Sequence, residues 1–204
     1  MTLFRLVYFD FKGRGELARL IFAASKQQYE DKRLEYSETC PETIAYKKEK
    51  APFGRLPVLE IIEENGQVKR LAQSIAIGRY LANKFGLAGK DEWERALADA
   101  IVDQISDFSV KVLEYIIEKD EQKLDELSKD LHENVFPNHF GYLELKIKES
   151  KSGFLHLINI LDWFDDSIQS KIFEKYLTLK EHNVRVKSLP EIEEWLVKRP
   201  ATIY

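Results

Sequence analysis

The sequence predicts an α/β first half followed by an all-α second half. In the first half, short apolar segments that suit strands alternate with helical patterns and turn signals. In the second half, apolar residues recur at steps of three and four, and we identify no convincing strand. The pattern changes near FGLAGK at 85–90, so we predict domains over residues 1–86 and 87–204.

The first half predicts the element order β-α-β-(α)-β-β-α. Asn65 and Gly66 are a strong hairpin signal because both positions tolerate positive φ, so the last two strands should be antiparallel. Ser74 is expected to cap the N-terminus of a helix that ends at Gly86. The strands are expected over Leu3–Phe9, Tyr29–Tyr36, Val58–Ile62 and Val68–Ala72.

The second half predicts a series of helices. Asp91–Lys119 should form one long amphipathic helix, and a second pattern runs over 124–147, where Pro137 is expected to kink it. The apolar sequence FLHLINILDWF predicts a buried helix, in which Asn159 and Asp162 have capping-box spacing. The sequence SLPEIEEWLVKRP predicts a last helix between its two prolines.

The composition narrows the possible functions. The 204 residues are 44% hydrophobic and 32% charged, a globular mixture, and the net charge of -4 argues against nucleic-acid binding. No apolar stretch is long enough to cross a bilayer, and Arg5 interrupts any signal-peptide core. Cys40 is the single cysteine and the four histidines do not cluster, so we expect no metal site and a reducing, cytoplasmic compartment.

Residues 13–18, GRGELA, have the Gly-x-Gly-x-x-Ala spacing of a dinucleotide-binding fingerprint. Glu35 follows 20 residues after Gly15, where such a fold often places a ribose-binding carboxylate. A nicotinamide enzyme is nevertheless disfavoured, because residues 10–12 separate the first strand from Gly13 and the predicted hairpin breaks the parallel order. We interpret the glycines as residues that ease a loop into a helix.

Five segments carry a resemblance to a known family: YFDFKGRGELARLIFAA, APFGRLPVLEI, LAQSIAIGRYLANKFGLAGK, DAIVDQISDF and LPEIEEWLVKRP. Together they resemble a glutathione transferase of the sigma class, in particular the nematode forms, over nearly the whole chain. The resemblance implies a thioredoxin-like first domain and a helical second domain that carries the electrophile site. It also implies a cytosolic homodimer that conjugates glutathione to hydrophobic electrophiles in detoxification, without a metal.

The chemistry implied by the resemblance requires a thiolate. Only the anion of glutathione is a good nucleophile, and a free thiol has a pKa of about 8.5, so the site must favour the anion. Tyr8, at the end of the first strand, can donate its hydroxyl to the sulfur. Arg14 resembles the arginine that lends positive charge near that sulfur, with an ordinary surface arginine as an equal alternative.

The segment around Pro57 resembles the cis-proline segment of thioredoxin-like folds. The resemblance implies that Leu56 pairs through its main chain with the cysteinyl backbone of glutathione, like an added strand. Gly54 and Arg55 precede Leu56 in the same motif and are included in the glutathione site.

Two further positions suit the terminal carboxylates of glutathione. Gln73 and Ser74 open a helix whose N-terminal amides favour the γ-glutamyl carboxylate, although Ser74 also suits a plain N-cap. Lys48 matches the lysine that pairs with the glycyl carboxylate, but the run of Lys47, Lys48 and Lys50 is also typical of a solvated face.

The resemblance also makes the complete site a property of two subunits. Asp107 matches an acidic residue that reaches the amino group of glutathione in the other subunit, although an exposed helical carboxylate is the simpler interpretation. Phe53 is expected to insert into the partner subunit.

Departures from the family pattern keep a second hypothesis open. The tryptophan that usually precedes Lys48 is missing, and the sixth helix, between Gly153 and Pro190, is short. These features favour a non-catalytic carrier of haem or other flat apolar ligands. A glutaredoxin-like reductase is excluded because no thiol follows the first strand. Prostaglandin isomerase activity is discounted because the helix beyond Asp107 lacks the tryptophan of those enzymes.

Overall fold

The computed structural model describes residues 2–149 and 172–202. Two compact units are present, one of residues 1–88 with 190–204 and one of residues 89–189. A mixed sheet with helices forms the first unit, and helices form the described part of the second, which confirms the predicted fold class of a thioredoxin-like domain followed by a helical one. Residues 190–204 join the first unit, and the functional bounds of 1–86 and 87–204 stay a prediction.

The sheet of the first unit has the strand order β2-β1-β3-β4. β1 pairs in parallel with β2 and antiparallel with β3, and β3 pairs antiparallel with β4, as the hairpin signal predicts. The second strand is shorter than predicted, because its pairing with β1 ends at Leu34 opposite Phe9. The strands are β1 Leu3–Phe9, β2 Glu30–Leu34, β3 Val58–Ile62 and β4 Val68–Ala72.

Four α-helices belong to the described part of the first unit. A 3-10 turn over Gly13–Gly15 leads into the first helix, which is buried along its N-terminal two turns. The second helix occupies the polar segment after β2, and Pro41 stands at its N-terminus, where a missing N–H costs nothing. The helices are α1 Glu16–Ala24, α2 Pro41–Glu49, α3 Ser74–Lys84 and, after the second unit, α9 Pro190–Lys198.

The second unit begins with the long predicted helix, α4 Glu92–Ile117. Asp91 caps it, because its side chain accepts the Glu94 N–H at 2.8 Å. The pattern expected over 124–147 is divided by a π turn, Leu131–Val135, in which the Phe136 N–H donates to the Leu131 carbonyl. The remaining helices are α5 Glu121–Asp130, α6 Phe136–Glu149, α7 Ile172–Lys175 and α8 Leu177–Lys187.

The π turn ends at Val135, two residues before Pro137. A proline in a helix lacks an N–H and clashes with the carbonyl four residues earlier, so a wider turn at this point removes the conflict. The predicted perturbation at Pro137 therefore takes the form of a π turn between two helices.

One hydrophobic cluster of buried residues joins α4, α6, the π turn and α8 in the described part of the second unit. The residues at the predicted spacing on α4 are buried from Ile101 to Val112, whereas Trp93 and Leu97 near its start are 72% and 44% exposed. The buried members are Ile101, Ile105, Phe108, Val112, Leu131, Val135, Phe136, Phe140, Leu143, Ile147, Tyr176 and Leu179.

Some sequence predictions concern residues 150–171. The buried helix FLHLINILDWF, the capping box of Asn159 and Asp162, and the length of the sixth helix lie outside the described residues. Of the helices in residues 2–149 and 172–202, none has the length and apolar character that a bilayer crossing requires. The same residues contain no group of three or more His, Cys, Asp or Glu side chains that could hold a metal ion.

Candidate active site around Tyr8

Tyr8 is a buried residue at the end of β1, and its hydroxyl lies beside the loop that follows. The Arg14 N–H donates to the Tyr8 oxygen at 3.0 Å. Because this bond uses a lone pair of the hydroxyl, the O–H proton remains available, and no described residue accepts it. Burial raises the pKa of Tyr8 and the Arg14 N–H opposes the rise only in part, so the phenol stays neutral and can donate.

Two glycines in the loop make room for the Tyr8 ring. A Cβ at Gly15 would lie 2.5 Å from Cδ1 of Tyr8, and a Cβ at Gly13 would lie 2.7 Å from the hydroxyl oxygen. Gly13 also has a φ of +35°. The glycines do lead the loop into a helix, as the sequence predicts, and their spacing also fits the shape of the tyrosine beneath them.

An aromatic surface adjoins Tyr8. Phe11 packs edge-on to the Tyr8 ring, with centroids 5.4 Å apart, and it stacks on Phe9 at 5.5 Å. Tyr36 contacts both phenylalanines edge-on and is 75% exposed. An apolar surface therefore lies beside a hydroxyl donor, an arrangement that suits a flat apolar reactant.

The cis-proline segment has an open main-chain edge. The Leu56–Pro57 peptide bond is cis, as the resemblance implies. The N–H and C=O of Leu56 make no hydrogen bond with the residues that the structure describes, so an extended peptide can pair with them. Gly54 adopts a φ of +63° at the turn before Leu56, and the Arg55 side chain is exposed.

The start of α3 differs from the predicted cap. Gln73, not Ser74, is the N-cap residue, and no side chain caps the helix, so the interpretation of Ser74 as a plain N-cap is wrong. Gln73 holds a φ of +75°, which is uncommon for a residue with a side chain and is found most often at functional sites. The hydroxyl of Ser74 has no partner within the described residues, and the first amides of α3 lie next to it.

Three charged residues that the sequence analysis places in the glutathione site are exposed. Arg14 contributes its main-chain N–H to Tyr8, while its side chain is on the surface. Lys48 lies exposed near the end of α2, whereas the neighbouring Lys47 ammonium is 5.6 Å from the centre of the Phe9 ring. Asp107 belongs to α4 in the second unit and is also exposed. The structure therefore brings Tyr8 and the Arg14 main chain together and leaves the side chains of Arg14, Lys48 and Asp107 exposed.

Asp107 has a titratable neighbour in its own unit. Its charge raises the pKa of His139, against the larger lowering that burial causes. His139 is also hydrogen-bonded to Gln104 through Nδ1 and packs against Phe108.

The sequence interpretation missed a buried ionic cluster next to Tyr8. Arg19 is fully buried in α1 and pairs with Glu16, which is 2% exposed, and with Asp31 on β2. The spacing of Glu16 and Arg19, three residues apart on one helix, was the available signal, because such pairs meet on a helix surface. A helix buried on nearly all sides could not be recognised from one apolar stripe.

The fold and the site together define a class: a thioredoxin-like protein with a buried tyrosine donor beside a cis-proline edge, joined to a helical unit. Residues 5–83 match the glutathione S-transferase N-terminal domain and residues 106–199 match the glutathione S-transferase C-terminal domain. The chain belongs to the glutathione S-transferase family.

Relatives and solved structures agree over the full length. The chain is 38% identical to glutathione S-transferase 1 of Ascaris suum, with 100% of both chains covered. A Nu-class transferase from Haemonchus contortus is 34% identical with a TM-score of 0.86, again with full coverage of both chains. A structure of Na-GST-3 from the hookworm Necator americanus, described as monomeric, is 36% identical with a TM-score of 0.83. The match covers 99% of this chain and 100% of the hookworm chain.

Proposed function

We propose that this chain is an enzyme that conjugates the thiolate of glutathione to hydrophobic electrophiles. The observation that carries the proposal is the Tyr8 hydroxyl, whose oxygen accepts the Arg14 N–H and whose proton is left to donate. A sulfur placed there receives that hydrogen bond, which favours its anion. The thiolate forms the new carbon–sulfur bond, its own proton having passed to solvent, and the electrophile takes up or expels the displaced electron pair. Arg14 adds positive charge near the sulfur.

The rest of glutathione is held, in this proposal, by groups that have room for it. The open main chain of Leu56, next to Gly54 and Arg55, pairs with the cysteinyl backbone. Ser74 and the amides at the start of α3, with the strained Gln73, bind the γ-glutamyl carboxylate. Lys48 pairs with the glycyl carboxylate.

The finer family features are also proposals. The complete site forms in a homodimer, in which Asp107 reaches the amino group of glutathione bound by the partner subunit. Assignment to the sigma class rests on the sequence segments, and the Nu-class relative makes it a question for substrate profiling. We further propose detoxification in the cytoplasm, since the single cysteine suits a reducing compartment.

The haem-carrier alternative receives no support from the full-length relatives in Caenorhabditis elegans and Ascaris suum that are named glutathione S-transferases. The missing tryptophan before Lys48 still bears on glutathione affinity, because Ile44, one turn before Lys48 on α2, is 45% exposed and offers a smaller surface. A carrier would retain apolar ligands without conjugating them.

Retention on glutathione-agarose followed by a conjugation assay with an aromatic halide tests the proposal. The protein should bind the resin, elute with free glutathione and form the thioether at a rate that rises with pH toward a plateau. Retention without turnover, together with haem binding, would favour the carrier instead.

A further inference from the structure

Arg19 is a fully buried arginine whose three guanidinium nitrogens all have acceptors. Its Nε donates to both carboxylate oxygens of Asp31, at 3.2 and 3.1 Å. Its Nη1 donates to the Phe11 carbonyl at 2.7 Å and lies 3.4 Å from Oε2 of Glu16, and its Nη2 donates to the Phe9 carbonyl at 3.3 Å. The planar fork therefore joins two carboxylates to two main-chain oxygens.

The two main-chain oxygens belong to the segment between Tyr8 and the glycine turn. That segment continues to Arg14, whose N–H donates to the Tyr8 hydroxyl. The guanidinium carbon of Arg19 is also 5.8 Å from the centre of the Tyr8 ring. One side chain thus fixes the path of the loop and borders the ring that the loop orients.

Further hydrogen bonds anchor the guanidinium itself. Oε1 of Glu16 accepts Nε1 of Trp195 at 2.9 Å and Nη1 of Arg199 at 3.0 Å. Asp31 also accepts Nε of Arg33 at 2.9 Å. Carboxylates that are themselves held in place keep the fork of Arg19 in one orientation, so its bonds to the loop define one loop geometry.

We propose that Arg19 is a positioning residue for glutathione conjugation, an inference that rests on the proposed function. By holding the Phe9 and Phe11 carbonyls, Arg19 sets where the Arg14 N–H meets the Tyr8 oxygen, and so the direction in which Tyr8 presents its proton. Arg19 does not touch the substrate. A lysine would keep the charge but, with a single nitrogen, could not bridge Asp31 and both carbonyls.

The test compares Arg19→Lys with Arg5→Lys. Arg5 is a matched control, because it is a partly buried arginine on β1 that pairs with Glu30 and Glu60 and makes no bond to the loop. Thiolate absorbance of the glutathione complex is followed against pH, with kcat and KM at neutral pH. For Arg19→Lys, the pKa of the bound thiol should rise by about one unit and kcat should fall about tenfold. KM for glutathione should stay within about threefold, and Arg5→Lys should match the wild type.

The outcomes separate position from charge and from stability. If folded Arg19→Lys titrates like the wild type, the inference is overturned, because a positive charge at this position is then sufficient. A loss of thermal stability alone would not change the thiolate titration, so this readout separates positioning from stability. If Arg19→Lys does not fold, Asp31→Asn takes its place: a thiolate pKa above that of the wild type supports the inference, and identical titrations overturn it. A wild type that forms no thiolate and no conjugate refutes the proposed function itself, and Arg19 then has no reaction to position.

Discussion

At the scale of single residues, one hydrogen bond sets how the Tyr8 hydroxyl can bond to a ligand. The Arg14 N–H donates to the Tyr8 oxygen from the protein side, so the O–H proton of Tyr8 is left to face a ligand. Burial raises the pKa of Tyr8 and keeps the phenol protonated at neutral pH. A neutral donor stabilises an anion next to it without first losing its own proton, which is what thiolate formation requires.

The Tyr8→Phe variant should lose the thiolate while keeping the fold. The substitution retains the ring packed against Phe11 and Gly15 and removes only the hydroxyl. We expect the pKa of the bound thiol to rise and turnover at neutral pH to fall about tenfold to a thousandfold, the range for losing one preorganised donor. Thiolate absorbance against pH measures this directly, and glutathione binding should persist.

Tyr36→Phe is the matched control for that experiment. Tyr36 belongs to the same aromatic surface, but its side chain is 75% exposed and its hydroxyl has no described partner. The Tyr36→Phe variant should leave the thiolate titration of the glutathione complex unchanged. If Tyr8→Phe and the wild type titrate together and turn over equally, Tyr8 does not activate the thiol, and Arg14 becomes the next candidate.

Gly15→Ala should disturb the ring of Tyr8 by a direct clash. The added Cβ would meet Cδ1 and Cγ of Tyr8 at 2.5 and 2.8 Å, so the ring or the turn must move. We expect the free energy of unfolding to fall by about 1–3 kcal/mol, as for other overpacked sites, with a loss of turnover. Gly141→Ala is the control: it lies within α6 with open space around it, and should raise the free energy of unfolding by about 0.5–1 kcal/mol. Equal urea midpoints for Gly15→Ala and the wild type would show that Tyr8 tolerates the methyl group.

At the scale of elements, one buried carboxylate joins three strands and a helix. Glu60 on β3 accepts hydrogen bonds from Arg5 on β1 at 2.9 Å, from Arg70 on β4 at 2.9 Å and from Tyr46 on α2 at 3.0 Å. The side chain is 3% exposed, so a charge left there without these partners would be costly. The cluster therefore helps to hold α2 against the sheet.

This carboxylate predicts a loss of stability in acid. Burial raises the pKa of Glu60, but the hydrogen bonds from Arg5, Arg70 and Tyr46 lower it more, so the net direction is down. Its stabilisation is present above the unfolded pKa of about 4.3 and is lost as pH falls through the lower folded pKa. In urea unfolding between pH 7 and pH 3, Glu60→Gln should flatten the acid part of the stability profile.

The exposed pair of Glu194 and Lys198 supplies the control for this measurement. Glu194→Gln removes a carboxylate whose pKa is also lowered by a lysine, but both side chains are more than 60% exposed. Such a pair contributes little to stability, so its acid profile should follow the wild type. Profiles of the same slope for Glu60→Gln and the wild type would contradict the assignment of acid sensitivity to Glu60.

Prediction from sequence succeeded where a local signal sufficed. The bounds of β3 and β4 match, because Asn65 and Gly66 fix the hairpin between them. The sequence predicted a kink at Pro137 but not a π turn, because a proline shows that the helical hydrogen bonding is interrupted without showing which backbone geometry results. Gln73 replaced Ser74 as the cap because its positive φ is set by the surrounding fold. Glu16, the buried partner of Arg19, is held by Trp195 of α9, 179 residues away, and no local pattern reports such a contact.

At the scale of the whole molecule, each unit has large apolar side chains that are exposed and do not pack in its core. Phe53, in the turn before the cis bond, is 67% exposed. Trp93 and Leu97, one helical turn apart at the start of α4, are 72% and 44% exposed although they continue the buried stripe of that helix. Exposed aromatic residues of this size are typical of protein interfaces, which is consistent with the homodimer that the proposed role of Asp107 requires.

The proposed homodimer gives the last prediction. Light scattering at micromolar concentration should give about 48 kDa, twice the 23.9 kDa of the chain. Phe53→Ser should weaken association by about 30-fold or more, as expected for a buried aromatic anchor, and should lower glutathione affinity as the protein is diluted, because the partner's carboxylate is lost with the partner. Val197→Ser removes an apolar side chain on α9 that is 80% exposed and should leave the mass unchanged. The hookworm relative titled monomeric makes the opposite result informative: a wild-type mass near 23.9 kDa with full conjugating activity would place the complete site in one chain and remove Asp107 from it.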